Sequence, residues 1–376
     1  MIARSARSAP DVVLFLSSLV GGGAERVFVD LANEFSARGL HVDIVLASAE
    51  GPYLQYVSSA VRVVDLKASR ILRALLPLVR YLRAERPAAM LSALDHANVV
   101  AVLARRLAGG TTRCVISMRS VPTEVYRRAD SGGSRLLLRF MKVVYHFADA
   151  IVANSHAVAL DLSRLLGISV DEIHVIHNPL NLARIEEESR APLEHEWFGD
   201  GAPPVVLGVG SLAPLKDFET LIRAFAIVRQ RHACRLVILG EGPDRKKLEA
   251  VGRGIGVANH ILMPGFVPNP FAWMRRARVF VSSSLTEGFP NALMQALALG
   301  LPVVSTNSVG GSAELLENGR WGTLVPVGRP GAMAAAIGDC LDAGPNPDLR
   351  RRAADFSHER IASRYLEVLL PWENPA

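Results

Sequence analysis

The chain has 376 residues, half of them hydrophobic and 21% charged, which is too long for one ordinary core and suits two domains of about 150 to 200 residues each. That balance excludes a disordered, collagen-like or coiled-coil protein; the three scattered cysteines, Cys114, Cys234 and Cys340, exclude a disulfide framework or cysteine zinc site and fit a reducing compartment. The formal net charge of +6 lies wholly in residues 1–180, and residues 62–142 alone hold 16 Lys/Arg against 5 Asp/Glu, a density that points to a polyanionic partner or, more plainly, to solvated Arg-rich helices.

Arg4 and Arg7 ahead of the apolar run 12–20 imitate a short signal peptide. A helix and a second strand follow at once, so the run reads as a buried strand. A turn at Gly21-Gly22-Gly23 leads into a helix over 24–38, marked by Val27, Leu31 and Phe35 at four-residue spacing and closed by Gly39. Strands follow at 41–47, 61–65, 89–92, 114–118, 150–154 and 173–176, with helices between them, which implies a parallel sheet covered on both faces. The helix expected over 69–86 places Arg70, Arg73, Arg80 and Arg83 on one arc beside an apolar one, with a kink at Pro77. No apolar run reaches the roughly 18 to 20 residues that a spanning helix needs.

A polar, acidic stretch over 186–204 reads as a linker between a first domain, 1–185, and a second, 205–354. The second domain repeats the alternation, with strands at 205–209, 235–239, 260–263, 279–282, 302–305 and 323–326. A last amphipathic helix within 355–376 is expected to pack back on the first domain. Two doubly wound halves would surround a cleft with strand carboxyl ends and helix amino ends.

Gly21–Gly23 sit where backbone amides can approach a phosphate, although the spacing is neither a dinucleotide fingerprint nor a P-loop, and a tight turn explains it equally well. Lys216, just ahead of a helix, can neutralise a diphosphate. In the segment Ser282–Ser305 a strand ends in hydroxyl residues, and Glu287 precedes Gly288-Phe289-Pro290-Asn291 at the head of another helix. Glu287 can grip sugar hydroxyls, the amides near Phe289 to Asn291 can meet oxygens, and Gln295 can face the same space.

From Val12 to about Ile337 the chain resembles the retaining glycosyltransferases of family 4, most densely between Val205 and Val327. Glu287 to Pro302 resembles that family's paired-acid motif, and Gly21 to Arg26, Leu239 to Pro243 and Pro264 to Phe266 also match. The resemblance implies an α/β, GT-B architecture, two doubly wound Rossmann-like domains facing across a cleft. It implies that Glu287 holds donor-sugar hydroxyls, that Lys216 binds phosphate, that Gly22 and Gly23 lie near the donor phosphates, and that the backbone of Gly265-Phe266-Val267 meets the nucleotide base. Gly288, Phe289, Pro290 and Asn291 complete the donor loop. Two departures stand out. Gln295 replaces the second acid and brings no charge, and Ser211 stands where an Arg usually follows the phosphate-loop glycine. Arg119 falls near the family's cleft His or polar residue and is the candidate for the missing cation.

The chain contains no Asp-x-Asp, so metal-free catalysis by basic side chains and helix ends is expected, with no cofactor. The resulting expectation is an enzyme that moves a hexose or N-acetylhexosamine, with retention, from a nucleotide sugar, UDP-linked by preference, to a lipid-linked saccharide or growing cell-surface polysaccharide. The acceptor would bind the first domain and the nucleotide the second. The enzyme would be cytoplasmic and peripheral on anionic membrane, without nucleic acid as a partner. The alternative is a catalytically impaired donor-binding or scaffold subunit of a glycosyltransferase complex, with Gln295 and Ser211 as signs of decay.

Overall fold

The computed structural model describes residues 9–129, 132–199, 201–344, 346 and 348–371. They fall into two compact units, residues up to Pro179 together with those from His358 onward, and Leu180–Ser357.

The first unit is built on strands β1 (Val12–Leu16), β2 (Val42–Leu46), β3 (Arg62–Asp65), β4 (Ala89–Ala93), β5 (Arg113–Met118), β6 (Ala150–Ala153) and β7 (Ile173–Val175). All pairings are parallel, in the order β3-β2-β1-β4-β5-β6-β7. β1 is buried along its whole length. Its alternate residues feed two cores, Val13 and Phe15 on one face and Val12, Leu14 and Leu16 on the other, which is the period of two expected of a strand covered on both sides. The helices are α1 (Gly23–Ala37), α2 (Leu75–Glu85), α3 (Asp95–Ala108), α4 (Pro122–Ala129), α5 (Gly132–Val144) and α6 (His156–Leu166). α6 begins because Ser155 Oγ accepts from the Val158 amide at 3.2 Å, and it ends at Gly167 in the left-handed region.

The single helix expected over 69–86 is divided. A 3-10 turn covers Ile71–Ala74 and α2 starts at Leu75, so Pro77 sits in the first helical turn, where no internal amide bond is required and no kink follows. Arg83 leaves the expected basic arc and donates to the carbonyls of Leu107, at 2.7 Å, and Ala108, capping the end of α3.

The second unit has β8 (Val205–Val209), β9 (Arg235–Leu239), β10 (Ile261–Gly265), β11 (Val279–Ser282), β13 (Val303–Thr306) and β15 (Thr323–Val325) in the order β10-β9-β8-β11-β13-β15, with a separate pair, β12 (Thr286–Glu287) and β14 (Val309–Gly310). Its helices are α7 (Leu182–Ser189), α8 (Phe218–Val228), α9 (Arg245–Gly254), α10 (Phe271–Arg276), α11 (Asn291–Ala298), α12 (Ser312–Leu315), α13 (Pro330–Ala343) and α14 (Leu349–Ala354). The stretch expected as a linker over 186–204 belongs to this unit. α7 packs on α10 through the side that carries Ile185, and Trp197 and Phe198, in a 3-10 turn further on, join the core around Phe271 and Phe280.

The final helix, α15 (His358–Leu369), returns to the first unit. Ile361, Ala362, Tyr365, Val368 and Leu369 complete the core beneath α1, and Arg38 ties the two helices through Ser363 Oγ at 2.8 Å.

Candidate functional site

Three loops at the carboxyl edge of the second sheet converge through backbone bonds. The Gly210 amide donates to Leu239 O at 3.0 Å, Leu212 to Glu241 O at 2.8 Å, and Gly240 to Gly265 O at 2.8 Å. Gly240 has φ +139°, and a Cβ there would stand 1.9 Å from Gly210 O, so the contact of the β8 and β9 loops requires glycine. Exposed Ser211 lies on this edge. So does Phe266, which is 49% exposed, whereas Val267 packs against the core.

Lys216 closes a 3-10 turn ahead of α8, where Asp217, with φ +44°, caps the helix through the Thr220 amide. Its backbone carbonyl accepts from Ser283 Oγ at 2.7 Å, and the Leu285 amide donates to Leu215 O at 2.8 Å. These two bonds fasten the lysine turn to the loop after β11. Lys216 Nζ then meets Glu287 Oε1 at 2.5 Å, and Ser284 Oγ donates to the same oxygen at 2.6 Å. The Lys216 side chain is 28% exposed and that of Glu287 14%, so the pair is largely enclosed yet reachable from solvent.

The position of Glu287 is fixed by backbone. β12 pairs with β14, Glu287 opposite Gly310, and Thr286 Oγ1 donates to Val309 O at 2.9 Å. Gly288 is buried beyond it, and Phe289 turns its ring into the core against Phe356 at a centroid distance of 5.2 Å. The Phe289 side chain is therefore an anchor, and only the backbone of this residue can serve a ligand. Pro290 caps α11, whose first internal bond runs from Met294 N–H to Pro290 O, so the helix start presents amides and positive dipole. Asn291 opens α11 and half-buried Gln295 lies one turn further in.

The remaining sequence candidates lie in the first unit. Gly22 caps α1 and Gly23 begins it. The Glu25 carboxylate folds back against Gly22, where a Cβ would stand 2.2 Å from Glu25 Oε2, and burial raises the Glu25 carboxyl above its ordinary value despite a backbone hydrogen bond and the charge of Arg119. Arg119, just past β5, donates to Asn178 Oδ1 at 2.5 Å and Tyr365 OH at 3.1 Å, and its guanidinium lies 5.4 Å from the Phe28 ring centroid. Both terminal nitrogens thus brace the end of β5, one of them to α15, and Nε is buried without a partner among the described residues.

One feature of this unit carries no signal in the sequence. Leu94 has φ +74° immediately before α3, a conformation that costs a branched side chain energy and collects at functional sites. It sets Asp95 at the helix start, where Tyr126 OH donates to it and burial raises its carboxyl. The three cysteines offer no nucleophile: burial pushes Cys114 up to about 12 and Cys234 and Cys340 up to about 11.

Comparison with known proteins identifies the family. Residues 21–184 match the family described as Glycosyltransferase Family 4, and residues 203–343 that described as Glycosyl transferases group 1. The N-acetylgalactosamine-N,N'-diacetylbacillosaminyl-diphospho-undecaprenol 4-alpha-N-acetylgalactosaminyltransferase of Campylobacter jejuni is 29% identical over 95% of this chain and 98% of its own length. The lipopolysaccharide core biosynthesis glycosyltransferase LpsE of Rhizobium meliloti is 27% identical over 93% and 96%. In fold, the chain is similar to Anabaena HepE in complex with UDP and glucose, with a TM-score of 0.78 at 20% identity over 96% of this chain and 99% of that one. With two parallel α/β units, a Lys216–Glu287 pair at the strand ends of the second, and family matches across most of its length, the chain is a glycosyltransferase belonging to family 4.

Proposed function

We propose that the protein transfers a hexose or N-acetylhexosamine, with retention of anomeric configuration, from a UDP-sugar to a lipid-linked saccharide or growing cell-surface polysaccharide. The observation that carries this reading is the Lys216–Glu287–Ser284 cluster, which sets an ammonium and a carboxylate side by side at the head of α8 and α11. Glu287 holds hydroxyls of the donor sugar. Lys216, helped by the α11 amides, meets the diphosphate. Ser211 and the Gly265–Val267 loop flank the nucleotide, and Gln295 exchanges neutral hydrogen bonds with its ribose.

The acceptor hydroxyl attacks the anomeric carbon on the face the diphosphate leaves, and its proton passes to the departing diphosphate oxygen. Stabilised leaving-group charge is the main catalytic term, supplied by side chains and helix ends, since the sequence has no Asp-x-Asp. The first unit binds the acceptor, and Gly22 and Gly23 of its glycine loop serve the donor phosphates. Arg119, engaged by Asn178 and Tyr365, acts there as a positioning residue. The diphospho-undecaprenol in the name of the Campylobacter relative supports a lipid-linked acceptor, and the UDP bound by the structurally similar Anabaena protein is in keeping with a UDP-sugar donor. Such an acceptor places the enzyme at the cytoplasmic face of the inner membrane; no helix among the described residues is long and apolar enough to cross one.

The test is a thermal-shift screen of sugar nucleotides followed by transfer from the stabilising donor to polyprenyl-diphosphate saccharides, with the product's anomeric configuration read by NMR. An inverted product overturns retention. Absence of both transfer and donor hydrolysis by the isolated chain favours the donor-binding subunit.

A further inference from the structure

Within the first unit, α2, α3 and α5 form one layer over the Val13–Phe15 face of the sheet, with α3 in contact with both neighbours. α5 buries Leu137, Met141 and Val144 in that core. A second stripe, Leu136, Phe140 and Val143, continued by Phe147 in the following 3-10 turn, is 46% to 63% exposed. At about 100° per residue the four side chains share one narrow arc roughly a quarter turn from the buried stripe. Arg139, Lys142 and His146, all exposed, occupy the third arc. Leu72 in the turn before α2, Leu76 in the first turn of α2 and Leu107 at the end of α3 are exposed in the same helical layer. Arg70, Arg73, Arg80 and Arg106 are exposed beside them, with Arg106 stacked 4.7 Å from the Phe147 ring centroid.

An isolated exposed leucine on a protein surface needs no explanation, but seven large apolar side chains on one layer do. Their setting decides between occupants. They are interspersed with cations, in a stretch holding 16 Lys/Arg against 5 Asp/Glu, and two copies of such a face would repel. An anionic lipid surface satisfies both demands at once, accepting aromatic and aliphatic tips below its headgroups and cations at them.

We propose that this layer is a membrane-docking face, with Leu136, Phe140, Val143 and Phe147 entering the headgroup–acyl boundary and Arg70, Arg73, Arg80, Arg139 and Lys142 meeting anionic headgroups. The proposal rests on the reading of a lipid-linked acceptor only for its biological purpose. It extends beyond the segment around α2, because α5 and the turn after it carry four of the seven exposed apolar side chains.

The test is sedimentation of the full chain with vesicles of equimolar phosphatidylglycerol and phosphatidylcholine, or of phosphatidylcholine alone, at low and high salt. Neither sugar donor nor acceptor is present, so the result stands apart from any transferase assay. The expected result is binding to the anionic vesicles at low salt, lost at high salt, and reduced at least tenfold by Phe140→Asp with Val143→Asp. A Phe140→Trp chain, whose fold is checked by its thermal melt, gains emission that lipids with brominated acyl chains quench beyond the quenching of the wild-type tryptophans. No binding to anionic vesicles, equal binding to neutral ones, or emission from the introduced indole that brominated lipids leave unquenched overturns the proposal. So does a wild-type dimer in sedimentation equilibrium that the double substitution dissolves, since a second copy would then cover the face.

Discussion

Replacing Lys216 by Ala removes the ammonium paired with Glu287, and its expected cost follows from the geometry. Nζ lies 2.5 Å from Glu287 Oε1, but the lysine side chain keeps 28% of its surface in solvent. The full attraction of two unit charges at an effective dielectric constant near 20, about 4 kcal/mol at 4 Å, is therefore an upper bound. A charge-assisted hydrogen bond, about 1.5–3 kcal/mol, is the better measure. If that interaction passes to the diphosphate as the sugar–oxygen bond breaks, kcat falls about 10- to 150-fold. Folding should change by only about 0–1 kcal/mol, as for other partly exposed ion pairs, because Ser284 Oγ still satisfies Glu287 at 2.6 Å. The assay is initial-rate transfer at saturating donor, with a thermal melt of each variant as control. A wild-type kcat accompanied by a raised KM would show that Lys216 binds ground state and transition state alike, and wild-type values of both would refute its role at the diphosphate.

Gly310→Ala should destabilise the second unit by about 1–3 kcal/mol and depress transfer as Glu287→Ala does, since φ is +132° and the new Cβ would lie 1.5 Å from Glu287 O; denaturant titration and rate assays check both. Gln295→Glu adds an anion near the proposed diphosphate site and should weaken nucleotide-sugar binding several-fold by calorimetry, with Ser211→Arg in the same chain restoring it; full affinity in the single variant would argue against that placement. The Glu25 carboxyl is held above its ordinary 4.5 by burial, so the unfolded chain loses this proton first. Its stabilising contribution is whole below about pH 4.5 and is lost as pH rises through the folded value. Glu25→Gln should gain on the wild type in denaturant midpoints as pH rises above about 4.5, and a difference that does not vary with pH would refute this.

The inner strands of the parallel sheets are legible in the sequence because strands covered on both faces are almost uninterrupted apolar runs, as in β1, β4, β8 and β11, whereas the edge strands β3, β7, β10 and β15 are only partly buried. α1, α8, α11 and α15 are legible from apolar residues at helical spacing. The domain boundary is not. Composition marks 186–204 as polar, yet the short helix α7 needs only Leu182 and Ile185 facing inward, and Trp197 and Phe198 anchor the turn that follows. The 69–86 segment departs from expectation for a related reason: a proline costs nothing in a first turn, and where that turn begins depends on the packing of Ala74 and Leu78 rather than on periodicity.

The site divides in the same way. Glu287 and Lys216 can be picked out because the segments around them resemble the family's donor loops; a charge at a strand-to-helix junction is not enough by itself, since Asp217 there caps α8. Their mutual contact joins residues far apart in the chain and has no local signature. The β12–β14 pair is too short for a pattern, and Leu94 is not a residue type that announces a positive φ. Arg119 shows the limit most sharply: its position after a strand suggests a free cation, whereas the structure engages both terminal nitrogens with Asn178 and Tyr365. The departures Ser211 and Gln295 then take on a joint meaning. Relative to the family pattern one cation and one anion are missing together, so the formal charge around the donor loops is unchanged. In the proposed donor site, loss of the arginine alone would set a diphosphate against an excess of carboxylate, whereas with Gln295 in place of the second acid Lys216 and the α11 amides face Glu287 only, a balance compatible with an active transferase.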